Sequence, residues 1–419
     1  MMEPTRDSRV LVVGAGQAAG ELAGALRAGG HEGHVTLVGS EPHFPYTRPP
    51  LSKAYLRGEV AIAELYLRPA DFYRDHDITV HRGVAVEWVD LHGRRAGCDD
   101  GSVLDWDRIV FATGGRPRRV ADPGLESAGN VHYVRTIEDV ERLRRTTIAG
   151  SRFAVVGGGY VGLEVAAVLR RLDARVTVIE AADRLLARVT SPVVSEFFLR
   201  VHTQEGVDVR LSAQVELFQV EDGNVSTVVL GDGSRIPVDQ VLIGIGMVPN
   251  DEVAARAGLD VDNGIVVDEF CRTGTAGVYA IGDVARHPDP LNGGLRRLES
   301  MPNAAAQARL VAEDILGRGR PYNDLPWFWS DQYDVKLQAA GSSAGYDTVA
   351  VRGDAMSGRR FSVFYLRDGV VRAVDAICSP ADFAAGKALI ASSAVVPLSD
   401  LQDPSVPLRR RRSFTSEAS

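Results

Sequence analysis

The sequence predicts an α/β fold made of two similar strand–turn–helix–strand units followed by a smaller α+β region. Three observations carry this expectation. Two glycine-rich turns of one kind, Gly14-Ala15-Gly16-Gln17-Ala18-Ala19 and Gly157-Gly158-Gly159-Tyr160-Val161-Gly162, stand 143 positions apart. Each follows a short apolar run and precedes an Ala- and Leu-rich stretch of helical spacing. Beyond Pro326 the pattern changes to alternating strand-like runs with one late helix.

In chain order, the first unit reads as a strand over Val10 to Val13, the glycine turn, a helix over Ala18 to Ala28 and a strand over Val35 to Val38. The stretch His43 to Lys53 holds three prolines and is expected to be a loop of rigid path, because each ring fixes φ. Strands rich in Val and Trp follow and end at Ile109-Val110-Phe111-Ala112-Thr113-Gly114. The second unit repeats the plan with a strand over Phe153 to Val156, the turn, a helix over Val161 to Leu172 and a strand over Val176 to Ile179. It closes on Val241 to Asn250, which contains Gly244-Ile245-Gly246. Another buried strand, Gly277 to Ile281, ends in Gly282-Asp283, and a helix is expected over Asn303 to Leu316. The third region begins at Pro326-Trp327-Phe328-Trp329-Ser330-Asp331-Gln332-Tyr333, with its helix near Ala381 to Ile390. Residues Arg409 to Ser419, basic and then polar, read as a disordered tail; a docking or targeting patch is the rival reading of its four arginines.

Length and composition narrow the function. A chain of 419 residues implies two or three domains. A net charge of −8 argues against nucleic acid as a partner. The three cysteines, Cys98, Cys271 and Cys378, are far apart, with no C-x-x-C and no metal-ligand spacing, so no metal is expected and a reducing compartment is. Met1 to Arg9 is polar, and no apolar run approaches the roughly 20 residues that span a bilayer. A cytoplasmic chain without membrane contact is the expectation.

A strand, a glycine turn and a helix N-terminus together form a seat for a dinucleotide pyrophosphate. The first glycine makes the turn, the second lets backbone N–H groups approach phosphate, and the third small residue allows close packing. Two copies imply two Rossmann-like domains and two dinucleotides, an electron donor and an electron acceptor. An acid closing the following strand binds the adenosine ribose in such units. Glu180, 18 residues past Gly162, holds that place in the second unit and favours NADH over NADPH, since a carboxylate repels a 2′-phosphate. Ser40 and Glu41 are the candidates in the first. The competing reading of each acid is a surface carboxylate at a strand end.

At this point the chain resembles the FAD-dependent, NADH-using ferredoxin reductases of bacterial oxygenase systems, of the putidaredoxin reductase type. The resemblance runs from about residue 9 to residue 408. It rests on V-V-G-A-G-Q-A-A-G, R-P-P-L-S-K, A-T-G-G-R-P-R, V-V-G-G-G-Y-V-G-L-E-V-A, G-I-G-M-V-P-N, Y-A-I-G-D-V-A-R, W-F-W-S-D-Q-Y and D-P-S-V-P-L, in that order. It implies a glutathione-reductase-like plan. A discontinuous FAD-binding domain (1–116 and 251–325) would enclose an NAD-binding domain (117–250), followed by a C-terminal α+β interface domain (326–408) and the tail (409–419).

The resemblance further implies FAD bound tightly on the first turn and NADH as co-substrate on the second. Around Gly14 and Gly16 it places Ala18, Ser40, Glu41, Arg48, Lys53 and Val86 on FAD, with Ala112, Thr113, Arg135, Asp283 and Met301 from further along the chain. Asp283 would hydrogen-bond the ribitol; capping the helix after Gly282 is its plainer role. Gly157, Gly159, Tyr160, Gly162, Glu164, Glu180, Gly244, Ile245 and Gly246 fall to the nicotinamide cofactor. Glu164 interrupts an apolar helix face, where a charge is costly unless paired, and is expected to meet Lys53 beside flavin N5. Val86 and Met301 read equally well as plain core.

Disulfide reductases of this plan carry a cysteine pair near the flavin, and the related peroxidases and oxidases a single cysteine. Residues 41–58 contain none. Hydride in from the nicotinamide and single electrons out to an external carrier remain. Trp327 and Trp329, two apart on a strand, share a face, and Trp329 is placed beside the flavin or in an aromatic core pair. With Lys53 and Glu164 it completes the catalytic candidates. The carrier implied is an acidic [2Fe-2S] ferredoxin feeding a cytochrome P450 or a ring-hydroxylating oxygenase. Arg309, Lys336 and Lys387 are the expected docking bases, with solvated surface charge as the ordinary reading. Rubredoxin or quinone reduction is the alternative chemistry. An apoptosis-inducing-factor-like switch is the alternative class, and it would need a longer third region than 326–408.

Overall fold

The computed structural model describes residues 6–408, so the tail expected over 409–419 lies outside the described residues. Contacts divide the chain into two compact units. One comprises the residues up to Pro50, Val60–Arg116 and Met247–Pro326; the other comprises Leu51–Glu59, Pro117–Gly246 and the residues from Trp327 onward. No helix among the described residues is long and apolar enough to cross a membrane.

In the first unit, five parallel strands lie in the order Val278–Ala280, Arg108–Phe111, Val10–Val13, Val35–Gly39, Ile78–Arg82. The three inner strands are buried along their whole length, which is why they are read from sequence as continuous apolar runs. Helix Gln17–Ala28 packs against helix Met301–Ile315, and Ala19, Leu22, Ala23, Leu310 and Val311 all lie in the core of this unit. Strand order reverses between Val10–Val13 and Arg108–Phe111, the crevice where ligands bind such sheets.

Two expectations in this unit are corrected. The proline stretch is not all loop, because Pro49–Ser52 closes a 3₁₀ turn, for which the fixed φ of two prolines is pre-set. Asp283 caps no long helix. It lies inside the 3₁₀ turn Gly282–Val284, two short strands intervene, and Ser300 caps Met301–Ile315 by accepting from the N–H of Asn303 at 3.3 Å.

The second unit repeats the parallel plan in the order Asp208–Arg210, Arg175–Ile179, Arg152–Val156, Gln240–Ile243, Val131–His132. A three-stranded antiparallel sheet, Val215–Glu221 with Asn224–Leu230 and Arg235–Pro237, branches from it. The same unit holds a five-stranded antiparallel sheet in the order Trp327–Gln332, Val335–Gly341, Val370–Ile377, Phe361–Arg367, Thr348–Gly353, covered by helix Pro380–Ala391. Two parallel Rossmann-like sheets and a C-terminal α+β layer are the fold class the glycine turns and the change of pattern imply.

Asp375 fastens this antiparallel sheet to the loop after Arg175–Ile179. It is 4% exposed and accepts from the hydroxyls of Thr190 and Tyr365. Burial pushes its carboxyl up to about 6, against the two donors. A carboxyl whose folded pKa exceeds the unfolded value stabilises the fold at low pH, and that contribution is lost as pH rises from about 4 through about 6. Asp375→Asn is expected to remove up to about 3 kcal/mol of that pH dependence. Urea unfolding at steps between pH 4 and 7 measures it, and a variant slope equal to the parent's contradicts the burial account.

Candidate functional site

Each parallel sheet ends in a glycine turn at its point of reversal, and the two turns are built alike. A Cβ on Gly14 (φ +114°) would lie 2.3 Å from the carbonyl oxygen of Ala112, and one on Gly157 (φ +108°) 2.4 Å from that of Gly244. Both partners follow the neighbouring strand across the switch point. The first glycine is therefore required by protein backbone in both cases. The second glycine is different. A Cβ on Gly159 would meet nothing within 4 Å, and one on Gly16 only the Arg48 guanidinium at 4.0 Å. These cradles are open where a ligand approaches. Gly16 and Gly159 are also the N-caps of their helices, with no side-chain cap and no acid in the first turn. By contrast, the nearby helix Ile137–Thr146 is closed by a Thr136–Asp139 capping box. Uncapped N–H groups at the head of a helix dipole suit a pyrophosphate, so the residues present fit two dinucleotides.

Around the first cradle, Ala18 and Ala112 are buried. A Cβ on Gly282 would lie 3.2 Å from the Cβ of Ala18, which places Asp283 at the turn. Arg48 binds Glu41 at 2.5 Å and the Tyr46 hydroxyl at 2.7 Å, and Tyr46 donates to Glu41 at 2.5 Å. Burial works against the Arg48 charge, but Tyr46, Glu41 and Asp283 hold its pKa above the ordinary value. The Thr113 hydroxyl donates to the carbonyl of Asn250, and Met301 opens its helix with its sulfur 3.7 Å from the Thr47 hydroxyl. Ser40 is exposed past the end of Val35–Gly39, and Val86 is buried in a separate three-stranded sheet opposite Cys98.

Around the second cradle, Glu180 is held by the turn it serves. One carboxylate oxygen accepts from the N–H of Gly158 at 2.6 Å and the other from that of Ala182 at 2.8 Å. A carboxylate offers about four acceptor positions, so two remain for ribose hydroxyls. A Cβ on Gly162 would lie 2.3 Å from the Gly157 carbonyl, so the third glycine sets the close packing of helix on turn. The carbonyl of Gly246 accepts from the N–H of Arg118. The Tyr160 ring meets Phe328 edge-on at 4.7 Å. Arg135 gives its backbone N–H to Asp139, just before the capped helix.

Lys53 and Glu164 meet. The ammonium is 2.6 Å from a Glu164 oxygen, with side chains 14% and 6% exposed. Both residues belong to the second unit, to which Leu51–Glu59 is further anchored by the Tyr55 hydroxyl on Glu141 at 2.6 Å. Two more donors reach Glu164 that the sequence reading missed: the Ser52 hydroxyl at 2.5 Å and the Ser330 hydroxyl at 2.6 Å. The signal for Ser330 was the period-2 alternation of Trp327–Gln332. It puts Ser330 and Gln332 in the buried face and the two tryptophans on the other. The Trp327 and Trp329 rings lie 5.8 Å apart, tilted by 32°, and Trp327 packs on Phe383.

The expected docking bases belong to both units. Arg309 is exposed on Met301–Ile315 in the first unit. In the second, Lys336 lies 3.7 Å from Asp331, and the Lys387 ammonium sits 5.2 Å above the Trp327 ring.

Residues 8–308 match the family model described as pyridine nucleotide-disulphide oxidoreductase, and residues 327–411 match the one described as reductase C-terminal. The chain is 43% identical to putidaredoxin reductase CamA of Pseudomonas putida, over 96% of each protein. It is 44% identical to rhodocoxin reductase of Rhodococcus erythropolis over 91% of this chain and 89% of that one. Its structure matches the covalent putidaredoxin reductase–putidaredoxin complex at a TM-score of 0.93, covering 96% of this chain and 97% of that chain. The chain therefore belongs to the pyridine nucleotide-disulphide oxidoreductase family, in its putidaredoxin reductase-type branch.

Proposed function

We propose that this protein is an NADH-dependent ferredoxin reductase that draws electrons from NADH through FAD and passes them singly to a [2Fe-2S] ferredoxin. That ferredoxin would serve a cytochrome P450 or a ring-hydroxylating oxygenase, and the reaction would take place in the cytoplasm. The observation that carries the reading is the missing thiol. In a family named for disulphide chemistry, residues 41–58 hold no cysteine, and among the described residues Cys98 and Cys271 are buried away from both glycine turns in sequence. FAD, when bound, supplies the conversion of a hydride into two single electrons.

The chain's own residues bind and orient. Gly14 and Gly16 seat the FAD pyrophosphate, with Arg48 and Asp283 beside that turn. Gly157, Gly159 and Glu180 seat NADH. Lys53, held by Glu164, supplies a fixed positive charge on the reacting side, and Trp329 lines the electron exit. Arg309, Lys336 and Lys387 are docking candidates, and the functional division into FAD-binding, NAD-binding and interface domains follows the same assignment.

Anaerobic stopped-flow of the FAD-loaded protein tests this. NADH is expected to bleach the flavin absorbance, and an oxidised [2Fe-2S] ferredoxin to restore it in one-electron steps. Reoxidation by quinone or rubredoxin but by no ferredoxin would reject the proposed carrier. Glu180→Arg is expected to shift the NADPH/NADH preference at least about tenfold toward NADPH, equivalent to about 1.4 kcal/mol. Steady-state kinetics with both cofactors measures this, and an unmoved ratio would remove the ribose assignment.

A further inference from the structure

Behind Glu164 runs a buried chain of hydrogen bonds whose direction follows from valence alone. A carboxylate can only accept, so the single proton of Ser330 points to Glu164, 2.6 Å away. The Ser330 oxygen must then accept from Gln332, whose amide nitrogen is 3.2 Å away. With that nitrogen committed, the amide oxygen faces His202 Nε2 at 2.8 Å and can only accept, so the ring proton sits on Nε2. His202 Nδ1 is left as an acceptor, and the Tyr333 hydroxyl lies 3.3 Å from it. Each donor from Tyr333 to Ser330 points the same way, toward Glu164.

The surroundings agree with this polarity. Ser330, Gln332 and His202 are 1%, 0% and 0% exposed, so water does not compete. Burial pulls the His202 pKa down to about 4, despite the Gln332 bond and the nearby Glu205, and the ring stays neutral with one proton. Burial also raises the Tyr333 hydroxyl, which keeps its proton to give. Tyr333 holds the positive φ (57°) of the turn between Trp327–Gln332 and Val335–Gly341, so hairpin geometry fixes the far end. An amide in the middle blocks proton relay; the chain orients rather than conducts.

We propose that Ser330, Gln332 and His202 are positioning residues that lock the Glu164 carboxylate, and through it the Lys53 ammonium, in the geometry used for reaction with the nicotinamide. This rests on the ferredoxin reductase reading for its consequence, but the hydrogen-bond direction stands apart from it. Glu164 is gripped from two sides, by Ser52 and Lys53 from one segment and by Ser330 from another strand. Losing the Ser330 arm frees one oxygen to rotate, and displacement of about 1 Å at a reacting site costs up to about 100-fold in rate.

The first test reads the tautomer. ¹⁵N-histidine NMR of the wild-type holoprotein, with His202 assigned by loss of its signal in His202→Gln, is expected to show the Nε2–H form unchanged from pH 6 to 8. An Nδ1–H ring, or titration within that range, overturns the chain whether or not any variant folds. The second test reads hydride transfer. Ser330→Ala and Gln332→Glu, the latter unable to donate when ionised, are expected to slow flavin reduction by NADH about 10- to 100-fold, with NADH Kd within about twofold. Ser330→Thr keeps the hydroxyl and is expected to stay within about twofold of wild type. Equal rates for Ser330→Ala and wild type overturn the positioning role. A wild-type protein that NADH fails to reduce rejects the function proposed above and leaves the tautomer result intact.

Discussion

Glu164→Leu is expected to lower the unfolding free energy by about 3 kcal/mol, because it strips a mostly buried ammonium of the carboxylate 2.6 Å away. It also takes the acceptor from the Ser52 and Ser330 hydroxyls, whose loss falls on the destabilising side. Removing the ammonium as well should reverse much of this, since an apolar pair of similar volume replaces a buried ion pair at little cost. Lys53→Met/Glu164→Leu is therefore expected to be more stable than Glu164→Leu alone, by at least about 1 kcal/mol. Reduction by NADH should remain suppressed in both. Guanidinium unfolding beside stopped-flow reduction separates the two effects. If the double variant recovered its rate along with its stability, the pair would be a structural element and no part of the reaction.

Substitutions within one glycine turn are expected to split fold from ligand. Gly159 has φ −82° and ψ 177°, an extended conformation open to any residue, and its Cβ would touch nothing within 4 Å. Gly159→Ala should leave stability unchanged or raise it by about 0.4–1 kcal/mol. It should still weaken NADH binding about 100-fold, equivalent to about 2.7 kcal/mol, because the methyl fills the space the pyrophosphate needs. Gly157→Ala puts a methyl 2.4 Å from the Gly244 carbonyl at φ +108° and should destabilise the second unit itself, by about 1–3 kcal/mol for the backbone conformation alone. Thermal unfolding and NAD⁺ titration of both variants check this. Tight NADH binding by Gly159→Ala would show that the open cradle is not where the cofactor sits.

Most of the framework was legible because its signals are local. Val10–Val13 and residues 153–155 are buried on both faces, so each strand shows an unbroken apolar run before its turn. The helix after each turn starts within a residue or two of its expected position, since glycine spacing marks the N-terminus. The role weighed for Asp283 as a cap failed for a reason of the same kind. Nothing in Gly282-Asp283 discloses that two strands intervene before the next long helix, or that Ser300 is placed to cap it. The proline stretch was misread in part because proline enters the first turn of a helix as readily as a loop.

Sequence by itself determined where the two glycine-rich turns lie, that Glu164 is a charge in want of a partner, and that no thiol lies in residues 41–58. These are properties of spacing and residue type, carried by neighbours along the chain. Tertiary structure alone decided what surrounds Glu164 besides the Lys53 that the resemblance implies. Ser52 and Lys53 come from 111–112 positions before it and Ser330 from 166 after it, and Gln332 and His202 join only because a strand and a helix pack there. A hydrogen bond is fixed by distance and direction in space. Between residues so far apart in the chain, only the fold sets either one.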